Sequence, residues 1–358
     1  MKGRRVLVVR IGAMGDVLHA LPAVAALRAQ HPNWFIGWAI EPKWSDLLQV
    51  AGDEEDLSQG IGRAKRPALV DRWYSVPAKK WGRRPLSGET LADVSLLKEL
   101  LRDEKFDVVV DLQGSLKSAV VGWMAGVNVF AGPEEPRERL ARRLYHPRVP
   151  VTKAHVVEQA CELLGAAVGE TLAPAPVVLP MAPEHELWAD REIGGERFCL
   201  LAPTAGWGAK EWPPERYGEV AQELKRLGYS VLVNASDRAD ATAERVVQAS
   251  GDVARVVTCT VGQLIAVIRR SELVIGGDTG PVHLAAELEH PVVGIYGPTS
   301  PTRNGPWGSR VRVLRDPESV TSHKRLAEAE AGMLRIQPRD VVQAAMQLLG
   351  ISDDGWGG

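Results

Sequence analysis

The sequence predicts an α/β protein of two similar domains, and three observations carry that prediction. Short β-branched runs alternate with amphipathic stretches through most of the 358 residues, the pattern of parallel strands joined by helical crossovers. A proline-rich break at 172–183 carries four prolines and no helical period, so it reads as a linker. A length of 358 residues, with 45% hydrophobic and 25% charged residues, can bury a large core and favours two domains over one.

In the first half, strands are expected at 5–9, 35–40, 107–112 and 128–131, with helices at 17–29, 90–102 and 115–125. The polar, irregular stretch 52–67 reads as a surface insertion. After the break, strands are expected at 198–202, 230–233, 255–258, 273–275 and 292–296, again separated by helical stretches such as 214–226. The last periodic stretch, 339–349, puts Val341, Val342, Ala345, Leu348 and Leu349 on one face and starts just after Pro338. The expected layout is thus a first domain over 1–171, a linker over 172–183, a second domain over 184–337, and a terminal helix and frayed tail over 338–358.

Composition excludes several classes. No run of 18 apolar residues occurs and the N-terminus lacks a cleavage pattern, so neither a membrane span nor an export signal is expected. Cys161, Cys199 and Cys259 lie too far apart for a disulfide framework or a zinc site and read as buried thiols of a reducing, cytoplasmic compartment. A formal charge of −2 argues against a general nucleic-acid binder.

Four segments carry chemistry. The first strand runs into Gly12-Ala13-Met14-Gly15-Asp16, a glycine-containing turn that exposes backbone N–H groups at the carboxyl edge of a parallel sheet. Asp16 reads either as a base or as a helix-start residue favoured by the dipole. Pro22 would kink a helix begun at Asp16, and His19 is more simply a packed histidine. In the second domain, Gly276-Gly277-Asp278-Thr279-Gly280-Pro281-Val282-His283 ends a buried strand and opens a helix whose first N–H groups suit a diphosphate. Asp278 then faces sugar hydroxyls while Thr279 and the Gly280 amide face phosphate; an ordinary capped turn is the alternative. An aspartic-protease reading of Asp-Thr-Gly fails outside an all-β context. The small-residue loop 203–213 carries Thr204 and Lys210, a mobile charge for a diphosphate. Finally, Lys79, Lys80, Arg83 and Arg84 cluster around Trp81, with Arg137, Arg139, Arg142 and Arg143 in a second basic stretch. These are either a solvated face or the seat of an anionic acceptor.

Together, residues 12–22, the stretch Asp111-Leu112-Gln113-Gly114-Ser115-Leu116-Lys117-Ser118-Ala119, Lys210-x-Trp212-Pro213, Asp278-Thr279-Gly280-x-x-His283 and Tyr296-Gly297-Pro298-Thr299 resemble, in order, the ADP-heptose:lipopolysaccharide heptosyltransferase family, on its heptosyltransferase I side. The resemblance implies a GT-B architecture, two Rossmann-like domains with parallel sheets facing across a cleft. It implies inversion at the anomeric carbon, and neither metal nor cofactor. Asp16 is then the general base; Gly15, Thr204, Lys210, Asp278, Thr279, Gly280 and His283 match donor-site positions; Lys79, Lys80, Arg83, Arg84 and Arg137 match acceptor positions. The implied donor is ADP-L-glycero-D-manno-heptose, and the implied acceptor a Kdo-bearing lipid A precursor at the inner face of the inner membrane. The chain departs from the family in its Gly-rich loop before Lys210 and at Thr260, and it offers Asp237, Asp240 or Glu244 as the acidic nucleoside contact. The rivals are a GT-B transferase for another sugar or acceptor, a nucleotide-sugar binder without turnover, and a dinucleotide oxidoreductase. The absence of any Asp-x-Asp pair points away from a metal-held diphosphate.

Overall fold

The computed structural model describes residues 3–50, 68–237, 239–322, 324 and 326–352. The segment read as an insertion, 52–67, and residues 353–358 of the tail lie outside them. The chain divides into two compact units, Met1–Pro180 and Met181–Gly358.

The first unit holds β1 (Arg5–Val9), β2 (Phe35–Ile40), β3 (Arg72–Ser75), β4 (Val108–Asp111), β5 (Val129–Pro133) and β6 (Arg148–Val149). They form one six-stranded sheet in the order β3-β2-β1-β4-β5-β6, and every pair is parallel. β1 and β4 are near-continuous apolar runs because parallel strands in mid-sheet are covered on both faces. The second unit repeats the plan with β7 (Phe198–Ala202), β8 (Ser230–Ala235), β9 (Ala254–Thr258), β10 (Leu273–Gly276), β11 (Val292–Tyr296) and β12 (Val311–Arg315), ordered β12-β11-β10-β7-β8-β9. Both orders are the doubly wound arrangement in which the winding reverses between the first and fourth strands of the unit. Ligands bind in such folds at that reversal, outside the carboxyl ends of the strands. In the first unit the reversal lies between β1 and β4, and in the second between β7 and β10.

The expected strands are present, most with ends shifted by one or two residues. β3, β6 and β12 have no counterpart among the strands expected from the sequence. They are edge strands, short or punctuated by arginine, and buried on one face at most. The helix expected over 17–29 is instead two, Met14–Leu18 and Leu21–Gln30, because Pro22 fits the first turn of a new helix but not the interior of an old one. The stretch 172–182 contains no helix or strand, yet 172–180 belongs to the first unit: Leu172 and Leu179 are buried, and the Ala175 N–H donates to the Pro22 carbonyl at 3.2 Å.

Each unit has its own core. In the first, Leu7, Val9, Val109, Val121 and Phe130 pack under Leu97 and Leu101 of the helix Gly88–Asp103. In the second, the terminal helix Pro338–Leu349 buries Val341, Val342 and Ala345 beside Trp212 and Tyr217. Among the described residues no helix is long and apolar enough to cross a membrane, and the three cysteines are unpaired.

Candidate functional site

In the first unit the loops after β1, β2, β3, β4 and β5 all emerge at the carboxyl edge, and Asp16 lies in the first of them. Its carboxylate is about one-third exposed (34%) and each oxygen has one partner: Oδ1 meets the Arg10 guanidinium at 2.9 Å and Oδ2 accepts the Ala13 N–H at 3.1 Å. The second bond is the start-of-helix geometry that the capping alternative requires. A carboxylate oxygen carries more than one lone pair, so both oxygens keep capacity to accept a further proton donor.

The loop that carries Asp16 is tied across the winding reversal to the loop after β4. Gln113 Oε1 accepts the N–H of Ile11 at 2.8 Å and of Gly12 at 3.4 Å, and its amide nitrogen donates to Ser115 Oγ at 3.1 Å. Gln113 is itself held by Asp111 at the end of β4. The Asp111 carboxylate, wholly buried, accepts from Tyr145 OH (2.7 Å), Ser118 Oγ (2.8 Å), Gln113 N (2.8 Å) and Gly114 N (3.1 Å). Burial pushes its pKa up, and these donors offset part of that shift. Arg10 adds a second tie, donating to the Asp16 carbonyl at 3.0 Å and to the Leu112 carbonyl. Gly12 admits no side chain, since a Cβ there would stand 2.7 Å from Trp44 Nε1.

Cations surround this edge. The helix Ala78–Arg83 exposes Lys79, Lys80 and Arg83, with Arg84 following. Lys80 is paired with Glu89 (2.7 Å) and Asp93 (3.1 Å), whereas Lys79, Arg83 and Arg84 form no ion pair among the described residues. Arg137 is exposed beside Gly114, whose carbonyl accepts the Glu138 N–H at 3.0 Å. Lys117, part of the 111–119 motif, and Lys43 add two further cations. Lys117 Nζ lies 3.6 Å from where a Cβ on Gly82 would be, and Lys43 stacks on Trp44 at 3.8 Å. Burial, and then the charge of Lys79, lowers the Lys43 pKa.

In the second unit, the loops after β7 and β10 meet at the equivalent reversal. Lys210 pairs with Asp278 Oδ2, His283 Nε2 lies 2.9 Å from Asp278 Oδ1, and Lys210 Nζ stands 4.0 Å over the Trp207 ring. Burial alone would push the Asp278 carboxyl up; the His283 and Lys210 contacts outweigh it and hold Asp278 well below the usual carboxylate range. Gly276 and Gly277 permit this approach, since Cβ atoms there would meet the Ala202 and Lys210 carbonyls at 2.7 and 3.0 Å. Thr279 begins the helix Gly280–Glu287 without capping it, and its buried Oγ1 has no hydrogen-bond partner among the described residues. That leaves a hydroxyl and helix-terminal N–H groups together at one point, an arrangement suited to phosphate oxygens.

Other expected site residues are committed elsewhere. Asp240 caps the helix Ala241–Ala249 through the Thr242 and Ala243 N–H groups and also accepts from Thr204 Oγ1 at 3.1 Å. Thr260 caps the helix Val261–Arg270. In the Lys-x-Trp-Pro segment the roles divide: Lys210 faces the site, while Trp212 is fully buried, stacks edge-on with Tyr217 and donates to the Ile336 carbonyl at 3.1 Å. Within 318–335, to which the sequence assigns no role, residues 326–330 meet the Lys210 loop: the Ala209 N–H donates to the Leu326 carbonyl and the Glu330 N–H to the Ala209 carbonyl.

Residues 94–332, more than half of the chain, match glycosyltransferase family 9 (heptosyltransferase). The chain belongs to that family. It is 28% identical over 308 residues to lipopolysaccharide heptosyltransferase 1 of Pseudomonas aeruginosa, covering 85% of this chain and 81% of that one. It is 27% identical to the Escherichia coli K12 enzyme of the same name, covering 87% and 94%. Among solved structures it is similar to E. coli heptosyltransferase WaaC with ADP (TM-score 0.76, 22% identity, 96% and 99% covered) and to a glycosyltransferase family 9 protein of Veillonella parvula (0.77, 21%, 98% and 98%). These likenesses establish the GT-B fold expected from the sequence. Within this family 9 glycosyltransferase, Asp16, Lys79, Arg83, Arg84 and Arg137 gather at the carboxyl edge of the first unit, and Thr204, Lys210, Asp278, Thr279, Gly280 and His283 at that of the second.

Proposed function

We propose that this heptosyltransferase transfers L-glycero-D-manno-heptose from ADP-heptose to the Kdo of a lipid A precursor, in the cytoplasm at the inner face of the inner membrane. The observation that carries the reading is Asp16: a half-buried carboxylate at the winding reversal, its loop held by Gln113 and Arg10, at the same edge as Lys79, Arg83, Arg84 and Arg137, which form no ion pair among the described residues. The relatives named lipopolysaccharide heptosyltransferase 1, at 25–28% identity, favour the Kdo step over those of heptosyltransferases 2 and 3, whose named relatives stand at 23–24%.

Asp16 takes the proton of the acceptor hydroxyl as its oxygen attacks the anomeric carbon of heptose. The bond from that carbon to the diphosphate breaks on the opposite face, inverting the configuration and releasing ADP. Charge on the leaving diphosphate is met by two N–H donors of Lys210 not used by Asp278, by Thr279 Oγ1 and by the N-terminus of the helix 280–287. Asp278, expected from the sequence to face sugar hydroxyls, has one oxygen on Lys210 and the other on His283, and in this reading it orients those two side chains at the donor site. Lys79, Lys80, Arg83, Arg84 and Arg137 hold acceptor carboxylates and phosphates, and Gly15 lies next to the base as a donor contact.

The test is turnover with ADP-, UDP- and GDP-sugars on a deacylated Kdo acceptor, for the wild type and Asp16→Asn. Only the ADP-sugar should react, and Asp16→Asn should lower kcat by roughly a hundredfold or more with the fold intact. Turnover by Asp16→Asn at the wild-type rate would make Asp16 a helix cap. Reaction only on acceptors that already carry heptose would reassign the step.

A further inference from the structure

We propose that one side of the first unit is a docking face for an anionic phospholipid bilayer. On the helix Leu116–Met124, Leu116 (37% exposed), Val120 (37%) and Trp123 (58%) recur at helical spacing along the outer surface. Single exposed apolar residues are ordinary; a row of them is not.

The row extends onto both neighbours. The turn Arg139–Leu144 packs against this helix and exposes Leu140 (56%). On the other side, the helix Gly88–Asp103 runs in the same direction, since both leave the carboxyl edge. Its Arg102 donates to the Met124 carbonyl at 3.3 Å, which marks the flank that faces the 116–124 helix. Leu91 (56%) and Lys98 lie on that flank, because eleven residues of helix bring Leu91 back to within about 20° of Arg102.

Charge selects the occupant. Arg83, Arg84, Lys98, Lys117, Arg139 and Arg143 border or interrupt the row, all exposed and none in an ion pair among the described residues, in a chain whose formal charge is −2. Glu138, which accepts the Leu116 N–H at 3.1 Å, is the acid placed next to the row. An exposed tryptophan and leucines ringed by unpaired Arg and Lys match the boundary between acyl chains and negatively charged headgroups. The same cations disfavour a second copy of this face, which would set like charges against each other. The row starts at Leu116 and Lys117, directly after Ser115, the partner of Gln113, so a bound bilayer would lie beside the edge that holds Asp16. The inference deepens the lipid-borne acceptor reading above and rests on it for its purpose, though vesicle binding is measured without any acceptor.

The experiment is flotation of the full chain with phosphatidylethanolamine–phosphatidylglycerol vesicles or with phosphatidylcholine vesicles, at two salt concentrations. The protein should float with the anionic vesicles and be released by salt. Val120→Ser/Trp123→Ser, at surface positions and with a melting temperature matched to the wild type, should bind roughly tenfold more weakly. Arg139→Glu/Arg143→Glu should abolish the preference for anionic lipid. Brominated acyl chains should quench wild-type fluorescence more than that of Trp123→Phe. Equal binding by the wild type and Val120→Ser/Trp123→Ser would overturn the proposal, as would failure to float with anionic vesicles. A concentration-dependent dimer lost in that double variant would overturn it in favour of self-association. Turnover of a water-soluble deacylated acceptor should be equal in the wild type and the double variant. If neither turns it over, the acceptor reading fails, while flotation still decides the docking face.

Discussion

Gln113→Leu isolates the tie between the two loops at the winding reversal. Leucine has nearly the same volume but cannot accept, so the N–H groups of Ile11 and Gly12 lose the oxygen that now lies 2.8 and 3.4 Å away. Ile11 is buried, and an orphaned buried amide costs about 1–3 kcal/mol. Gly12 is partly exposed and its bond is long, so water replaces most of what it loses. The expected destabilisation is therefore about 2 kcal/mol by urea titration. Asp16 follows Gly12 by four residues in the same loop, and a misplacement on the order of 1 Å in a reacting group costs up to about a hundredfold in rate. We expect kcat per folded molecule to fall about ten- to a hundredfold at a temperature well below melting. Gln113→Glu keeps oxygens that accept from both amides and should recover most of the rate and the stability. A rate loss no larger than the loss of folded protein, or equal losses in the Leu and Glu variants, would show that Gln113 does not position Asp16.

Three further outcomes are expected. Arg137→Ala and Arg137→Lys should both raise acceptor KM, because lysine cannot reproduce a planar two-pronged contact, and the effect should shrink with salt; unchanged KM in both would return Arg137 to the solvated surface. Activity should survive EDTA, since Lys210 and the helix N-terminus at Thr279 answer the diphosphate charge; loss restored by magnesium or manganese would refute this. Burial, reinforced by Glu289, pushes the Glu287 carboxyl up from 4.5 to about 8, so between those values the folded chain holds a proton that the unfolded chain has released and stability falls as pH rises. Glu287→Gln should remove that slope and melt higher than the wild type near pH 8, with melting temperature against pH as the measurement.

The sequence alone determined the parts of this protein whose cause is local. Central parallel strands are covered on both faces, so β1, β4, β7, β10 and β11 appear as short continuous apolar runs, and the glycine turns after them mark the loops that carry Asp16, Lys210 and Asp278. Pro22 already signalled a helix break, though not that two helices would result. The edge strands β3, β6 and β12 gave no such signal, because arginine and a single covered face leave little pattern to read. Only the tertiary structure decided which side chains meet. Gln113 reaches Ile11 across 102 residues of sequence because β4 pairs beside β1, and Lys210 reaches Asp278 across 68 because β10 pairs beside β7. The same pairing buried Asp111 under Tyr145 and placed Trp212 in the core, and folding of the loop after β8 put Asp240 on a helix cap instead of leaving it free. A residue's type states which bonds it can make, but its partner is set by strand order, which brings distant loops to one edge and leaves no trace in the residues between them.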